Sequence, residues 1–177
     1  ARQGCLGPLD GTASLREQSA SEIPASVTVL GAATLQAAGL QHFEDVLGLV
    51  PNLNWSGGTS RPRFFQLRGI GELEQYQGAP NPSVGFLLDD IDLSGVGMPA
   101  TLFDAEQVEV LRGPQGTRYG ANALAGLIYV ETGQPTTESG AELRATGGSD
   151  DTWAVGGVMH GAVPVSKTVL KAGADDL

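Results

Sequence analysis

The chain has 177 residues, enough for one ordinary domain plus a fragment, and 41% hydrophobic against 17% charged residues excludes a disordered composition. A formal net charge of -10 repels phosphate backbones and argues against nucleic acid as a partner. The single cysteine, Cys5, excludes an internal disulfide or a thiolate metal cluster, and no apolar run reaches the ~20 residues of a spanning helix, which leaves crossing by strands open.

With 26 glycines and 10 prolines, turns and short strands are favoured over long helices. Residues 1–22 are polar and small, without a period, and read as a flexible leader. No signal-peptide pattern opens them, so an export signal is expected to have been removed or to lie outside this sequence. Ile23-Pro24 opens a strand-like run, residues 25–30, with Val27 and Val29 on one face. Residues 32–38 are a short helix, with Gly39 as the expected C-cap. Phe43, Val46, Leu47 and Val50 recur at helical spacing, so a second short helix is expected, stopped by Pro51. Both are too short to stand alone and must pack on a sheet.

Residues 52–62 read as a Gly/Ser/Asn-rich loop, and residues 64–68 as a strand ending at Gly69. A long loop over residues 70–82 carries Glu72, Glu74, Gln75 and Tyr76; loops of that length without structure of their own are often functional. Residues 84–88 form a strand that Asp89-Asp90 turns into Ile91-Asp92-Leu93. A glycine-rich loop follows over residues 94–99, then a helical turn over residues 101–103.

The most informative stretch is V-E-V-L-R-G-P-Q-G-T-R-Y-G-A-N-A-L-A-G-L-I-Y-V, residues 108–130. Strand-like runs flank a glycine-punctuated middle. Gly113-Pro114-Gln115-Gly116 reads as a tight type I turn, bracketed by Arg112 and Arg118. Composition changes near Gln134-Pro135. From Gly140 the pattern is alternation: Ala141, Leu143 and Ala145 against Glu142, Arg144 and Thr146. After a turn at residues 147–151, Trp153, Val155, Gly157, Met159, Gly161 and Val163 share a face, and a third strand starts at Thr168. Such segments suit the first hairpins of a membrane β-barrel, and equally a soluble meander.

The R-G-P-x-G-x-x-Y-G-x-x-x-x-x-G pattern of residues 112–126 resembles the plug domain of TonB-dependent outer-membrane receptors. Further pieces match in order: I-P-A-S-V-T-V-L as the first plug strand, H-F-E-D-V-L-G-L-V-P-N-L as its helix, F-Q-L-R-G-I-G as its "I-R-G" element, and N-P-S-V-G-F-L-L-D-D-I-D-L as its hairpin. The resemblance implies an α+β fold: a small mixed β-sheet plug with short helices, followed by the first antiparallel strands of a transmembrane β-barrel. The expected organisation is a leader with a TonB-box region over residues 1–22, the plug over residues 23–134, and barrel strands over residues 135–177.

The family consists of transporters in the outer membrane of Gram-negative bacteria, with the plug inside the lumen of a barrel of about 22 strands. They bind a scarce nutrient, here most readily a ferric siderophore, and the inner-membrane energising complex pulls on the plug through TonB. The resemblance therefore implies as partners TonB, a siderophore or other nutrient, the protein's own barrel and the outer membrane. It implies no cofactor, no metal ligands and no catalytic residues. Arg68 and Arg112 correspond to the arginines that pair with barrel carboxylates and lock the plug. Gly69, Gly113, Pro114, Gly116, Gly120 and Gly126 correspond to structural turn positions, the glycines through unusual φ/ψ or close approach. Apical loops near residues 55–60, 72–77 and 93–98 supply ligand contacts, with Trp55, Gln75 and Tyr76 the expected ones.

Some residues depart from the pattern. The TonB-box stretch reads L-D-G-T-A, with Gly11 where valine is usual, and glycine weakens strand addition to TonB. Asp90 stands where the family has glycine, and L-I-Y-V at residues 127–130 replaces a more usual x-I-N-I. Three strands cannot close a barrel, so the sequence is expected to be a fragment or the product of a truncated gene. The alternative is a detached, soluble plug-like module that binds a ligand or a protein without transport. An enzyme would need paired carboxylates from Asp89, Asp90 and Asp92, or from Asp104, Glu106 and Glu109. No H-x-x-H or G-x-S-x-G pattern supports one, and no 12-residue calcium loop surrounds the three aspartates.

Overall fold

The structure is a computed structural model that describes residues 10–11, 18–19, 26–38, 43–57, 62–74, 82–96, 102, 104–134, 138–147, 153–162 and 169–176. The chain divides into two compact units, Ala1–Thr132 and Gly133–Leu177.

In the first unit, β1 (Asp10–Gly11) and β2 (Gln18–Ser19) pair antiparallel, so part of the expected leader carries β structure. β3 (Ser26–Gly31) leads into α1 (Ala32–Ala37), α2 (Phe43–Val46), β4 (Leu53–Ser56) and β5 (Phe64–Leu67). Then follow β6 (Val84–Leu88), β7 (Ile91–Asp92), β8 (Ala105–Arg112), α3 (Gly116–Tyr119) and β9 (Gly126–Thr132). The main sheet has the order β3-β8-β9-β6-β7. Its pairs are antiparallel except β6 with β9, which run parallel with Val84 opposite Gly126.

Both faces of this sheet are covered, which is why β9 reads as a continuous apolar run and not as an alternation. On one face Leu30, Val108, Val110, Ile128, Val130, Val84 and Phe86 meet Leu35 of α1, Phe43 and Val46 of α2, and Leu53, Phe65 and Leu67 of the β4–β5 pair. Phe43 sits at the centre of that core. Its ring meets Phe65 and Phe86 edge-on, at centroid distances of 5.5 and 5.3 Å. On the other face Leu87, Leu111, Leu127 and Tyr129 pack with Ala123, from the chain just after α3, and with Val27 and Tyr119.

Four local expectations change. The loop expected over residues 52–62 contains β4, because Leu53 is buried in the core and Trp55 packs beside it, across from Leu67 and Phe65. Tertiary packing overrides the weak strand preference of Asn54 and Ser56. The helix expected over residues 43–50 is one α-turn followed by a 3₁₀ turn, Leu47–Leu49, with Val50 already extended (φ -110°, ψ 110°) ahead of Pro51. The strand–turn–strand expected around Gly113 is a strand, a bend, α3 and a 3₁₀ turn, Gly120–Asn122, before β9. Finally, Leu102, expected in a helical turn, is buried without being helical. Gly39, Thr101 and Phe103 lie outside the described residues.

The second unit is an antiparallel meander of β10 (Gly140–Gly147), β11 (Trp153–Ala162) and β12 (Val169–Asp176). The register sets Leu143 opposite Gly157 and Ala145 opposite Val155. One face of β10 and β11 exposes Leu143 (79%), Trp153 (66%), Val155 and Met159 (68%). The alternate positions of β10 carry Glu142 and Arg144, whose side chains pair at 3.2 Å. Apolar residues outward and charged residues on the opposite face is the pattern of a strand with lipid on one side and a polar lumen on the other. Among the described residues no helix is long and apolar enough to cross a membrane.

Candidate functional site

At one end of the first unit, β5 ends in a turn in which Arg68 (φ 55°) and Gly69 (φ 79°) are both left-handed. The Arg68 amide donates to the Asn52 carbonyl at 3.0 Å, which ties this turn to the chain entering β4. Arg112, at the end of β8, donates through Nη2 to the Pro51 carbonyl at 3.2 Å. The two arginines, 44 residues apart in sequence, thus reach the same short stretch of backbone. Burial first, and then the positive charge of Arg68, holds the Arg112 guanidinium below its ordinary pKa. Neither arginine has an ion-pair partner among the described residues.

The glycines divide by geometry. Gly113 has φ 115° and donates its amide to the Ala125 carbonyl, so the bend after β8 needs a left-handed residue. A Cβ on Gly126 would lie 2.4 Å from Leu67 Cδ1 and 2.5 Å from the Leu111 carbonyl oxygen, so β8 and β9 cannot pack there around any side chain. At Gly116 a Cβ would meet nothing within 4 Å and no left-handed φ occurs, so neither expected reason for glycine holds at that position. Pro114 is exposed between the bend and α3, and Gly120 opens the 3₁₀ turn.

The connections expected to touch ligand are anchored by polar contacts at their roots. Gly71 (φ 151°) brings the chain back against β5, where a Cβ would fall 2.2 Å from the Phe65 carbonyl oxygen. Glu72 is thereby set beside Gln66, a buried polar side chain. Gln66 Nε2 donates to the Glu72 carbonyl at 2.5 Å and to Ser56 Oγ at 3.0 Å. The Glu72 carboxylate accepts from the Ser83 amide at 2.7 Å and from Ser83 Oγ at 2.5 Å. Arg63 Nη2 donates to the Gly95 carbonyl at 3.2 Å, its guanidinium lying 5.7 Å from the Phe64 ring centroid. Gly95 (φ 72°) in turn lies close to Pro82, 3.1 Å from where its Cβ would be. The chain before β5, the chain before β6 and the chain after β7 therefore converge.

Trp55 belongs to β4, not to a loop, and packs half-buried against the core. Gln75 and Tyr76 lie outside the described residues. The residues that sequence reasoning missed are Arg63, Gln66, Gly71 and Ser83. Only Gly71 left a signal, as the second glycine of R-G-I-G; the others are ordinary polar residues whose partners are 10 or more positions away or set by a turn.

The three aspartates of the β6–β7 hairpin have structural partners. Asp89 (φ 47°) and Asp90 (φ 66°) both adopt positive φ, the requirement of a two-residue I′ turn. Asp89 accepts from the Thr132 amide and hydroxyl, each at 2.8 Å, and Asp90 accepts from Tyr129 Oη at 3.2 Å. Burial, followed by the Asp90 charge, pushes the Tyr129 phenol above its ordinary value. Burial also raises the Asp92 carboxyl, but hydrogen bonds from Ser94 and Asn122 outweigh it and leave Asp92 below the usual carboxylate range. Among the described residues no group of three His, Cys, Asp or Glu side chains is placed to hold a metal ion.

Known proteins are similar to this chain. The family described as TonB-dependent Receptor Plug Domain matches residues 19–127. The pesticin receptor of Yersinia enterocolitica is 34% identical over 129 residues, covering 72% of this chain and 19% of that protein. The vitamin B12 transporter BtuB of Vibrio vulnificus is 29% identical over 148 residues, covering 78% of this chain and 23% of that protein. The crystal structure of the ferric yersiniabactin uptake receptor FyuA from Yersinia pestis superposes with a TM-score of 0.67 at 30% identity, over 83% of this chain and 23% of that one. The chain thus spans about a fifth of the length of the curated relatives it matches. With the mixed sheet, the covered faces and the R-G-P bend all in place, the chain belongs to the TonB-dependent receptor plug-domain family.

Proposed function

We propose that residues 23–134 are the plug, and residues 135–177 the first barrel strands, of a transporter in the outer membrane of a Gram-negative bacterium, which takes up a ferric siderophore through TonB. The observation that carries this reading is the succession, in one chain, of a plug fold and a meander whose exposed face is apolar while its alternate positions hold an ion pair. Bond chemistry has no part in it: the residues bind a nutrient, hold the plug and release it under force. The ferric chelate is preferred to cobalamin because the FyuA structure is an iron-chelate uptake receptor and is 30% identical, although BtuB at 29% keeps cobalamin as the competing cargo.

Arg68 and Arg112 form the plug's half of the lock, since two neighbouring guanidinium groups without a paired carboxylate among the described residues call for acidic partners on the surrounding wall. Trp55, Gln75 and Tyr76 are the proposed ligand contacts, Trp55 from a strand next to the loops. Asp10–Gly11 already stands in a strand pair, which supports strand addition to TonB from the leader despite Gly11.

The test is uptake of radio-iron as ferric yersiniabactin, and of labelled cobalamin, by cells with and without the gene in a tonB-positive and a tonB-deficient background. Gene- and TonB-dependent iron uptake is expected. Gene-dependent cobalamin uptake alone would replace the cargo, and outer-membrane absence of the product would remove the transporter reading.

A further inference from the structure

The connection between β5 and β6 is closed at its root by one side chain. Gly71 turns the backbone so tightly that Glu72 returns alongside β5. Its carbonyl takes the Gln66 amide, and its carboxylate takes both polar groups of Ser83, the residue just before β6. Gln66 continues the network to Ser56 on β4. Both oxygens of Glu72 are therefore engaged by Ser83, eleven residues further along the chain.

We propose that Glu72 is a positioning residue: a latch that holds the two ends of the β5–β6 connection together and against the β4–β5 pair, and so preorganises this end of the plug for ligand. Its function rests on the ligand-binding reading of this end of the plug. The physical gain is entropic. A loop whose ends are fixed before binding loses less freedom on binding, so preorganisation appears in affinity. The latch acts through hydrogen-bond geometry and not through net charge. A glutamine at position 72 can accept from the Ser83 amide and donate to Ser83 Oγ, whereas an alanine can do neither.

The experiment uses the intact receptor in outer membranes, with Glu72→Ala, Glu72→Gln and Ser83→Ala, and ferric yersiniabactin as the probe. Amide hydrogen exchange at Ser83 reads the latch, and the half-saturating concentration and maximal rate of uptake read its consequence. Glu72→Ala is expected to speed exchange at Ser83 and to raise the half-saturating concentration about tenfold, the equivalent of about 1.4 kcal/mol. The maximal rate per receptor stays unchanged. Glu72→Gln restores both, and Ser83→Ala, which keeps the amide bond, falls between. Unchanged exchange at Ser83 in Glu72→Ala overturns the latch. So does Glu72→Gln weakening uptake as much as Glu72→Ala while Ser83 exchange stays normal, because Glu72 would then meet the ligand through its charge. If the wild type takes up no ferric yersiniabactin, yet Ser83 exchange rises in Glu72→Ala and recovers in Glu72→Gln, the latch stands and the cargo reading fails.

Discussion

Gly116 and Gly126 are both glycines of the R-G-P stretch, yet their surroundings demand opposite outcomes from the same substitution. At Gly126 the added methyl collides with Leu67 Cδ1 and with backbone at Leu111, and β8 cannot yield without breaking its pairing with β9. Gly126→Ala should lower stability by about 1–3 kcal/mol, and Gly116→Ala should stay within about 0.5 kcal/mol, as thermal unfolding of the two variants would show. Asp92 supplies a pH test. Its folded pKa lies below the unfolded value, so its contribution is present above about pH 4 and is lost as pH falls through the folded pKa. The stability gap between wild type and Asp92→Asn should therefore be constant near neutrality and close in acid, followed by urea unfolding at each pH. The motif revealed which glycines to inspect. It could not separate Gly116 from Gly126, because the difference lies in Leu67 and Leu111, contributed by other strands.

Hairpins and strands show how local chemistry and context share control. The β6–β7 turn was legible as a turn at Asp89-Asp90, and the structure explains how two aspartates tolerate positive φ: each carboxylate is held by β9, through Thr132 and Tyr129. Asp89→Ala removes two hydrogen bonds and leaves a Cβ-bearing residue in the left-handed region without compensation, for an expected loss of about 2 kcal/mol. Asp90→Gly relieves backbone strain but loses the Tyr129 contact, so a change below about 1 kcal/mol is expected; equal losses at both sites in chemical denaturation would contradict this turn account. In the meander the alternation carries a clear asymmetry. Leu143→Arg places a charge on the exposed apolar face and should reduce assembled receptor in the outer-membrane fraction, at about 2–4 kcal/mol if it sits at mid-depth. Glu142→Gln, on the opposite set of positions, should leave assembly intact. β4 was invisible in sequence because Asn54 and Ser56 give no strand signal; pairing with β5 supplies it.

For the molecule as a whole, the arginine pair is the feature that points beyond this chain. Arg68 and Arg112 lie together without a carboxylate among the described residues, and Arg112 is partly desolvated there. The proposed lock to a surrounding wall would be cooperative. Arg112→Ala in the receptor should loosen the plug by about 3–5 kcal/mol if its partner carboxylate is left buried, seen as increased sensitivity of cells to large hydrophilic antibiotics. Adding Arg68→Ala should then cost much less than its single effect, and lysine at either position should restore little, since an ammonium cannot make the two-pronged contact.

The sequence alone determined the family and the existence of most strands, and it singled out the two arginines, because motif order, alternation and turn residues are local properties of the chain. Only the tertiary structure decided which residues meet. Arg68 and Arg112 come near one another, and Trp55 belongs to a strand. Glu72 is turned inward onto Ser83, and Gly126 but not Gly116 is sterically obligatory. These outcomes depend on contacts between distant elements, and a hydrogen bond or a collision across that separation leaves no pattern in the order of residues.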